Sequence, residues 1–226
     1  ENAKDRIIPM IEASPRLRQY MTGYGDDASS LRINLLHMPI YLGWSGSVSR
    51  LGNKPIRILI LDELDKYKNP KNEASSESLA EKRTTTWRTR RKVVKISTPT
   101  TDDGPIWKAL TEEAGARFDF WVRCPHCGFF QHMDFERIAW PGKDEEKSPD
   151  AETVLAKRLA TYACEYCGTV WDDGDRDRAV RGGEWRERTS GLELMAHVTV
   201  HRPVKVGFHI PAWLSYFVSL SEVAHA

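Results

Sequence analysis

The chain has 226 residues, 40% of them hydrophobic and 29% charged, with a net charge of +1. That size holds one large domain, or one medium and one small domain, of an ordinary globular kind. The near-neutral charge excludes a globally basic nucleic-acid binder, so any such site must be local. No apolar run approaches the ~20 residues that span a bilayer, and the start, Glu1-Asn2-Ala3-Lys4-Asp5, lacks the apolar core of a signal peptide.

In chain order, residues 1–22 predict a helix with Ile7, Ile8, Ile11 and Leu17 as its apolar stripe and Pro9 and Pro15 as interruptions. Residues 31–42 predict one or two strands, and Gly43 to Gly52 a glycine- and serine-rich loop. Ile56-Arg57-Ile58-Leu59-Ile60-Leu61 then predicts a strand buried on both faces, as in a parallel sheet covered by helices. It ends in Asp62-Glu63. Residues 74–88 predict a helix capped by Ser75 or Ser76, with Leu79 and Ala80 beginning its apolar face. Val93 to Ile96 predicts a second strand, ending in Ser97-Thr98-Pro99-Thr100, and Ile106 to Ala114 a further helix. Strand, helix, strand, helix is the order of a parallel α/β sheet. Composition shifts near Arg117. The segment to about Glu187 carries all four cysteines, several Trp and an acidic, Lys-containing loop (Lys143 to Glu152) expected to be solvated. A β-like run, Val206 to Ile210, closes the chain.

Open α/β sheets bind ligands at the carboxyl ends of their strands. In nucleotide hydrolases a Walker B Asp there organises Mg²⁺, and a following Glu polarises water. Asp62 and Glu63 suit those roles; the alternative is an acidic strand end that caps the next element. No G-x-x-x-x-G-K-[ST] loop occurs in the chain. Ser97, Thr98 and Thr100 read either as a proline-containing turn or as a hydroxyl-rich sensor beside Walker B, since short hydroxyls both donate and accept.

Cys124-Pro125-His126-Cys127-Gly128 and Cys164-Glu165-Tyr166-Cys167-Gly168 are two C-x-x-C-G knuckles with 36 residues between them. Four thiolates from Cys124, Cys127, Cys164 and Cys167 make a closed tetrahedral set for a structural Zn²⁺, with no open catalytic position. Two unrelated reduced thiol pairs or a redox dithiol are the alternative. His126 is expected at the surface. Lys82, Arg83, Arg88, Arg90, Arg91, Lys92 and Lys95, with Trp87 among them and no acidic residue, read as a phosphate-backbone contact or as a solvated face. Arg50 and Arg57, flanking the loop and opening the strand, read as surface or structural residues, the alternative being contact with a nucleotide or a neighbouring subunit. His197 and His201 flank Val-Thr-Val and would share one face of a strand.

Taken in order, these pieces resemble the GpA-type large subunit of tailed-phage terminases. The resemblance runs from Pro9 to Leu17, through Gly43 to Gly52, Ile60 to Tyr67, Leu79 to Thr84 and Lys95 to Thr100. It continues through both knuckles, Gly183-Glu184-Trp185 and Gly207-Phe208-His209-Ile210. It implies a P-loop-type, helicase-like ATPase core on a parallel sheet with an inserted zinc ribbon. The corresponding divisions are a partial ATPase domain over 1–117, a zinc-ribbon lobe over 118–190 and a return segment over 191–226. It further implies an ATP-driven motor in the host cytoplasm, phage- or prophage-encoded. That motor packages double-stranded DNA into procapsids, with a nuclease that cuts concatemers in the full-length parent. Asp62 and Glu63 look like the catalytic pair, using ATP and Mg²⁺, and Ser97, Thr98 and Thr100 like the coupling loop. The four cysteines look like the zinc ligands. Arg83, Arg88, Arg90, Arg91 and Lys92 remain DNA-contact candidates. The small subunit, the portal and further copies of the chain are the implied partners; no membrane is. The family's phosphate loop is expected before Glu1 and its nuclease carboxylates after Ala226, which makes the chain a central piece, inactive in isolation. Two rival readings stay open: a zinc-ribbon DNA or protein adaptor without ATPase activity, and a helicase-type ATPase with a zinc insertion.

Overall fold

The computed structural model describes residues 3–24, 28–47, 54–68, 74–143 and 149–225. The chain divides into two compact units, Glu1–Ile106 and Trp107–Ala226.

In the first unit the expected N-terminal helix is broken. A wide π turn (Ala3–Ile7) leads into α1 (Ile8–Ala13) and α2 (Pro15–Arg18). Ser14 between them is extended at φ −91°, ψ 113°, because a following proline disfavours helical backbone in the residue before it. Pro15 then opens α2, where its missing N–H costs nothing. β1 (Arg32–Asn34) and β2 (Pro39–Tyr41) pair as an antiparallel hairpin over the fully buried Ile33. Residues 48–53 of the glycine-rich loop, including Arg50, lie outside the described residues.

The centre of this unit is β3 (Ile58–Asp62), parallel to β4 (Lys92–Ile96), with Ile58 opposite Lys92 and Asp62 opposite Ile96. α3 (Ser76–Lys82) lies between them in sequence, and the Ser75 hydroxyl caps it by accepting from the Ser78 amide at 3.2 Å. The helix stops six residues short of the expected end. The hydroxyls of Thr84 and Thr85 donate back to the carbonyls of Glu81 and Lys82, each at 2.7 Å. Such local bonds compete with continued helix, and a 3-10 turn (Thr85–Trp87) comes next.

Burial along β3 corrects the expected two-sided strand. Leu59 and Leu61 are buried with Leu64 and Ala80. Ile58 and Ile60, with Val94 and Ile96 of β4, are 41–61% exposed on the other face. An alternation of Ile and Leu is apolar at every position, so its periodicity carries no information about which face is covered.

The second unit begins within α4 (Pro105–Lys108), which runs into a wide turn, Ala109–Glu113. Its main sheet is built on β5 (Ala116–Arg123), flanked by antiparallel β10 (Glu184–Glu187) and parallel β11 (Val206–His209). β6 (Phe130–His132) pairs with the far end of β5. A second antiparallel sheet holds β7 (Ile138–Ala139), β8 (Thr161–Ala163) and β9 (Val170–Trp171). The helices are α5 (Ala151–Ala156), α6 (Asp173–Arg181), α7 (Leu194–His201) and α8 (Leu220–His225). Of the acidic loop, residues 144–148 lie outside the described residues; Asp150 caps α5 by accepting from the Thr153 amide.

One core joins Val122, Ile138, Tyr162 and Trp171 to Leu214, Leu220 and Val223. Residues 118–190 and 191–226 therefore share a sheet and a core. Arg176, 1% exposed, fastens them: its guanidinium donates to the carbonyls of Trp213 and Val218, each at 3.0 Å, and pairs with Asp177 and Asp173. His197 and His201 lie on a helix and not on a strand. The Glu193 carboxylate accepts from the Met195 and Ala196 amides and starts α7, and this cap outweighs the strand preference of Val-Thr-Val. The two imidazoles are one turn apart, with centroids at 4.4 Å.

Candidate functional site

Parallel pairing with Asp62 opposite Ile96 brings two loops to the same edge of β3 and β4. One begins at Glu63 and the other at Ser97. Asp62 and Glu63 are both exposed there. Glu63 adopts left-handed backbone, φ 55° and ψ 44°, which is uncommon for a residue with a β-carbon and costs on the order of 1–3 kcal/mol. The chain thus reverses sharply at the strand end into a 3-10 turn, Leu64–Lys66. Burial, then the charges of Asp62 and Glu77, push the Tyr67 phenol above its usual range, leaving a neutral hydroxyl near Asp62.

The two loops are joined by Asp65, which sequence reasoning missed. Its carboxylate accepts from the Thr100 amide at 2.9 Å and the Ile106 amide at 2.8 Å. Its own amide donates to the Ser97 hydroxyl at 3.2 Å, and Lys66 Nζ donates to the Thr100 hydroxyl at 3.3 Å. Ser97 in turn donates to the Thr98 carbonyl; the Thr98 side chain is exposed. Gly104 is required by this arrangement, since a β-carbon there would sit 2.5 Å from the Asp65 carboxylate. An Asp three residues after Asp62, with Gly four residues after Thr100, is the only trace of this in the sequence.

The four cysteines converge in the second unit. One knuckle lies between β5 and β6 and the other between β8 and β9. Their ligand atoms all lie within 4.8 Å of one another, with Cys124–Cys167 and Cys127–Cys164 sulfur pairs at 3.9 Å. A tetrahedron with metal–sulfur bonds of about 2.3 Å has edges of about 3.8 Å, so the set fits a metal and is too open for disulfides. The His126 and Cys127 amides point at Cys124 Sγ, each at 3.4 Å. Gly128 and Gly168 supply the left-handed turn, φ 75° and 69°. The Thr169 hydroxyl and amide hold the Cys167 thiol down at about 6. The Phe129 amide draws Cys127 down too, but partial desolvation and the neighbouring sulfurs outweigh it and push it up to about 12. Four crowded sulfurs do not all ionise without a cation among them. His126 is partly exposed and faces Asp175 at 3.4 Å.

The family model described as "Phage terminase large subunit gpA, ATPase domain" matches residues 1–185. The chain belongs to that family. The match takes in β3, β4 and both cysteine knuckles. No curated protein and no solved structure matches the chain. Membership of the terminase gpA ATPase-domain family implies an ATP-hydrolase role in DNA packaging. Among the described residues no helix is long and apolar enough to cross a membrane.

The basic stretch of this terminase chain is smaller than its sequence suggests. Lys95 is not free for a ligand: it pairs with Glu77 at 2.6 Å and Glu81 at 3.3 Å across α3 and β4. Arg91 donates to the buried Thr84 hydroxyl at 3.1 Å, and Arg83 is half-buried. Arg57, Arg88, Arg90 and Lys92 are exposed.

Proposed function

We propose that this chain forms the hydrolytic and coupling part of a terminase motor, with Asp62 as the Mg²⁺-organising acid and Glu63 as the residue that orients the attacking water. The supporting observation is the junction at one edge of a parallel strand pair, where Asp65 ties the Asp62-Glu63 turn to the Ser97–Thr100 loop. Bound Mg²⁺ would offset charge developing on the β- and γ-phosphates. Asp62 lies at the strand end to hold that ion. Glu63, thrown outward by its left-handed backbone, presents a carboxylate to water and takes up its proton. A change in either loop passes to the other through Asp65, so Ser97, Thr98 and Thr100 couple nucleotide state to DNA movement. The P-loop-type core, the cleavage of concatemers by the parent, and the small subunit, portal and sister copies as partners belong to this reading. The cysteine cluster is a structural zinc site in a ribbon-like lobe.

The test is Glu63→Gln in the terminase large subunit that carries this domain. Hydrolysis should fall at least a hundredfold while nucleotide binding stays, because the amide keeps the shape and loses the base. Full turnover by the variant would sink the assignment.

A further inference from the structure

At the opposite end of β3 from Asp62, the segments Lys54-Pro55 and Lys82–Thr86 border an open surface cavity of about 240 Å³ lined by Lys54, Pro55, Lys82, Arg83, Thr85 and Thr86. The Ile56 amide donates to the Arg83 carbonyl at 3.0 Å and holds the two segments together. Six residue steps along an extended chain put this cavity on the order of 20 Å from Asp62, too far to serve the same phosphates.

Three cations line the cavity and no carboxylate does. They are not spent on the end of α3. The carbonyls of Ala80 and Glu81 accept from the Arg83 and Thr84 amides, that of Lys82 from the Thr85 hydroxyl, and that of Arg83 from Ile56. Lys54 Nζ sits 4.2 Å over the Tyr41 ring, a cation–π contact with an uncharged partner. A tetrahedral oxyanion suits a cavity lined by three cations and no carboxylate: it carries the opposite charge, accepts on every oxygen and is small enough for the space.

We propose that this cavity holds a phosphate group of a polynucleotide backbone. The phosphate chemistry follows from the cavity itself; the choice of a polynucleotide as its source rests on the packaging reading. The surroundings support that choice. Residues 82–101 contain no acidic residue, and the exposed Arg88, Arg90 and Lys92 continue the positive surface beside the cavity with the exposed Trp87 among them. Consecutive phosphates of one strand would meet these side chains in turn, whereas a free phosphate needs the cavity alone.

The test uses this chain, a DNA duplex of mixed sequence and no nucleotide. Binding is followed by fluorescence anisotropy over a salt series, with inorganic phosphate and ATP titrated in parallel. Lys54→Gln/Lys82→Gln should keep the unfolding midpoint and lower the slope of log affinity against log salt by about 1, for the one phosphate in the cavity no longer neutralised. Lys54→Arg/Lys82→Arg should restore it. An unchanged slope in the folded glutamine variant overturns the proposal. So does a variant that loses phosphate or ATP binding alone, since the ligand would then be a free phosphate. Because no turnover is measured, active Glu63→Gln would remove the ATPase assignment and leave this measurement standing.

Discussion

Replacing Asp65 with Ala removes the side chain that joins the Asp62-Glu63 turn to the Ser97–Thr100 loop. Two backbone amides, Thr100 at 2.9 Å and Ile106 at 2.8 Å, lose an ionised acceptor. Hydrogen bonds to charged groups contribute about 1.5–3 kcal/mol each, so the pair is worth about 3 kcal/mol at the lower end. Asp65 is half-buried and Thr100 exposed, so water replaces part of the loss and about 2 kcal/mol is expected. Asp65→Asn keeps one acceptor but turns a donor towards a second donor, and should lose about half as much. The assay is denaturant unfolding together with amide hydrogen exchange. The Thr100 and Ile106 amides should exchange much faster in Asp65→Ala, while Leu59 and Leu61 in β3 keep their protection relative to global stability. In the parent terminase, DNA-stimulated hydrolysis should fall more than basal hydrolysis. Loss of less than about 0.5 kcal/mol, the ordinary range for a surface change, with unchanged exchange at both amides, would refute the junction.

Four further outcomes are expected. Glu63→Gly should raise the unfolding free energy by about 0.5 kcal/mol, the relief of left-handed strain net of glycine's entropy; a loss would show that Glu63 is not strained. Chelation of metal from reduced protein should lower the stability of the second unit by less than the ~10 kcal/mol that structural zinc gives isolated peptides, since Tyr162 and Trp171 keep a core there. Metal analysis should find one Zn²⁺ per chain, and identical unfolding with and without chelator would dismiss the site. Arg176→Ala should cost about 3 kcal/mol by removing a buried guanidinium and leaving its half-buried partners unpaired, read by denaturant unfolding; a cost below about 1 kcal/mol counts against its fastening role. Arg188 bonds Asp119 through both carboxylate oxygens, at 2.8 and 2.7 Å, and holds that carboxyl below its usual range. A depressed folded value stabilises above the ordinary carboxylate pKa of about 3.9 and is lost as pH falls through the lower folded value. With Arg188 about half exposed, Asp119→Asn should cost about 1 kcal/mol at neutral pH and nothing at the acid end; a pH-independent difference would contradict it.

What was legible in the chain was local. Asp62-Glu63 stands out because a strand end and two carboxylates are adjacent in sequence, and Ser97–Thr100 because it closes the next strand. The cysteine knuckles carry their own geometry in a C-x-x-C-G spacing, down to the glycines at positive φ. The ordered series of such patterns was enough to point to the terminase family. What it did not hold was which distant groups meet. A single carboxylate at Asp65 looks like any solvated acid until the fold lays the Thr100 and Ile106 amides against it. Lys95 counts as part of a basic patch until α3 brings Glu77 and Glu81 to it. The composition shift near Arg117 suggested a separate ribbon, but β5 finds its parallel partner in β11, far along the chain, and the two segments fuse around one core. His197 and His201 read as strand residues until the Glu193 carboxylate caps a helix beneath them. The sequence by itself determined which side chains stand together at each strand end and knuckle, because short-range spacing fixes it. Tertiary structure alone decided which charges are spent on partners and which remain for a ligand, because that depends on the meeting of segments that share no local pattern.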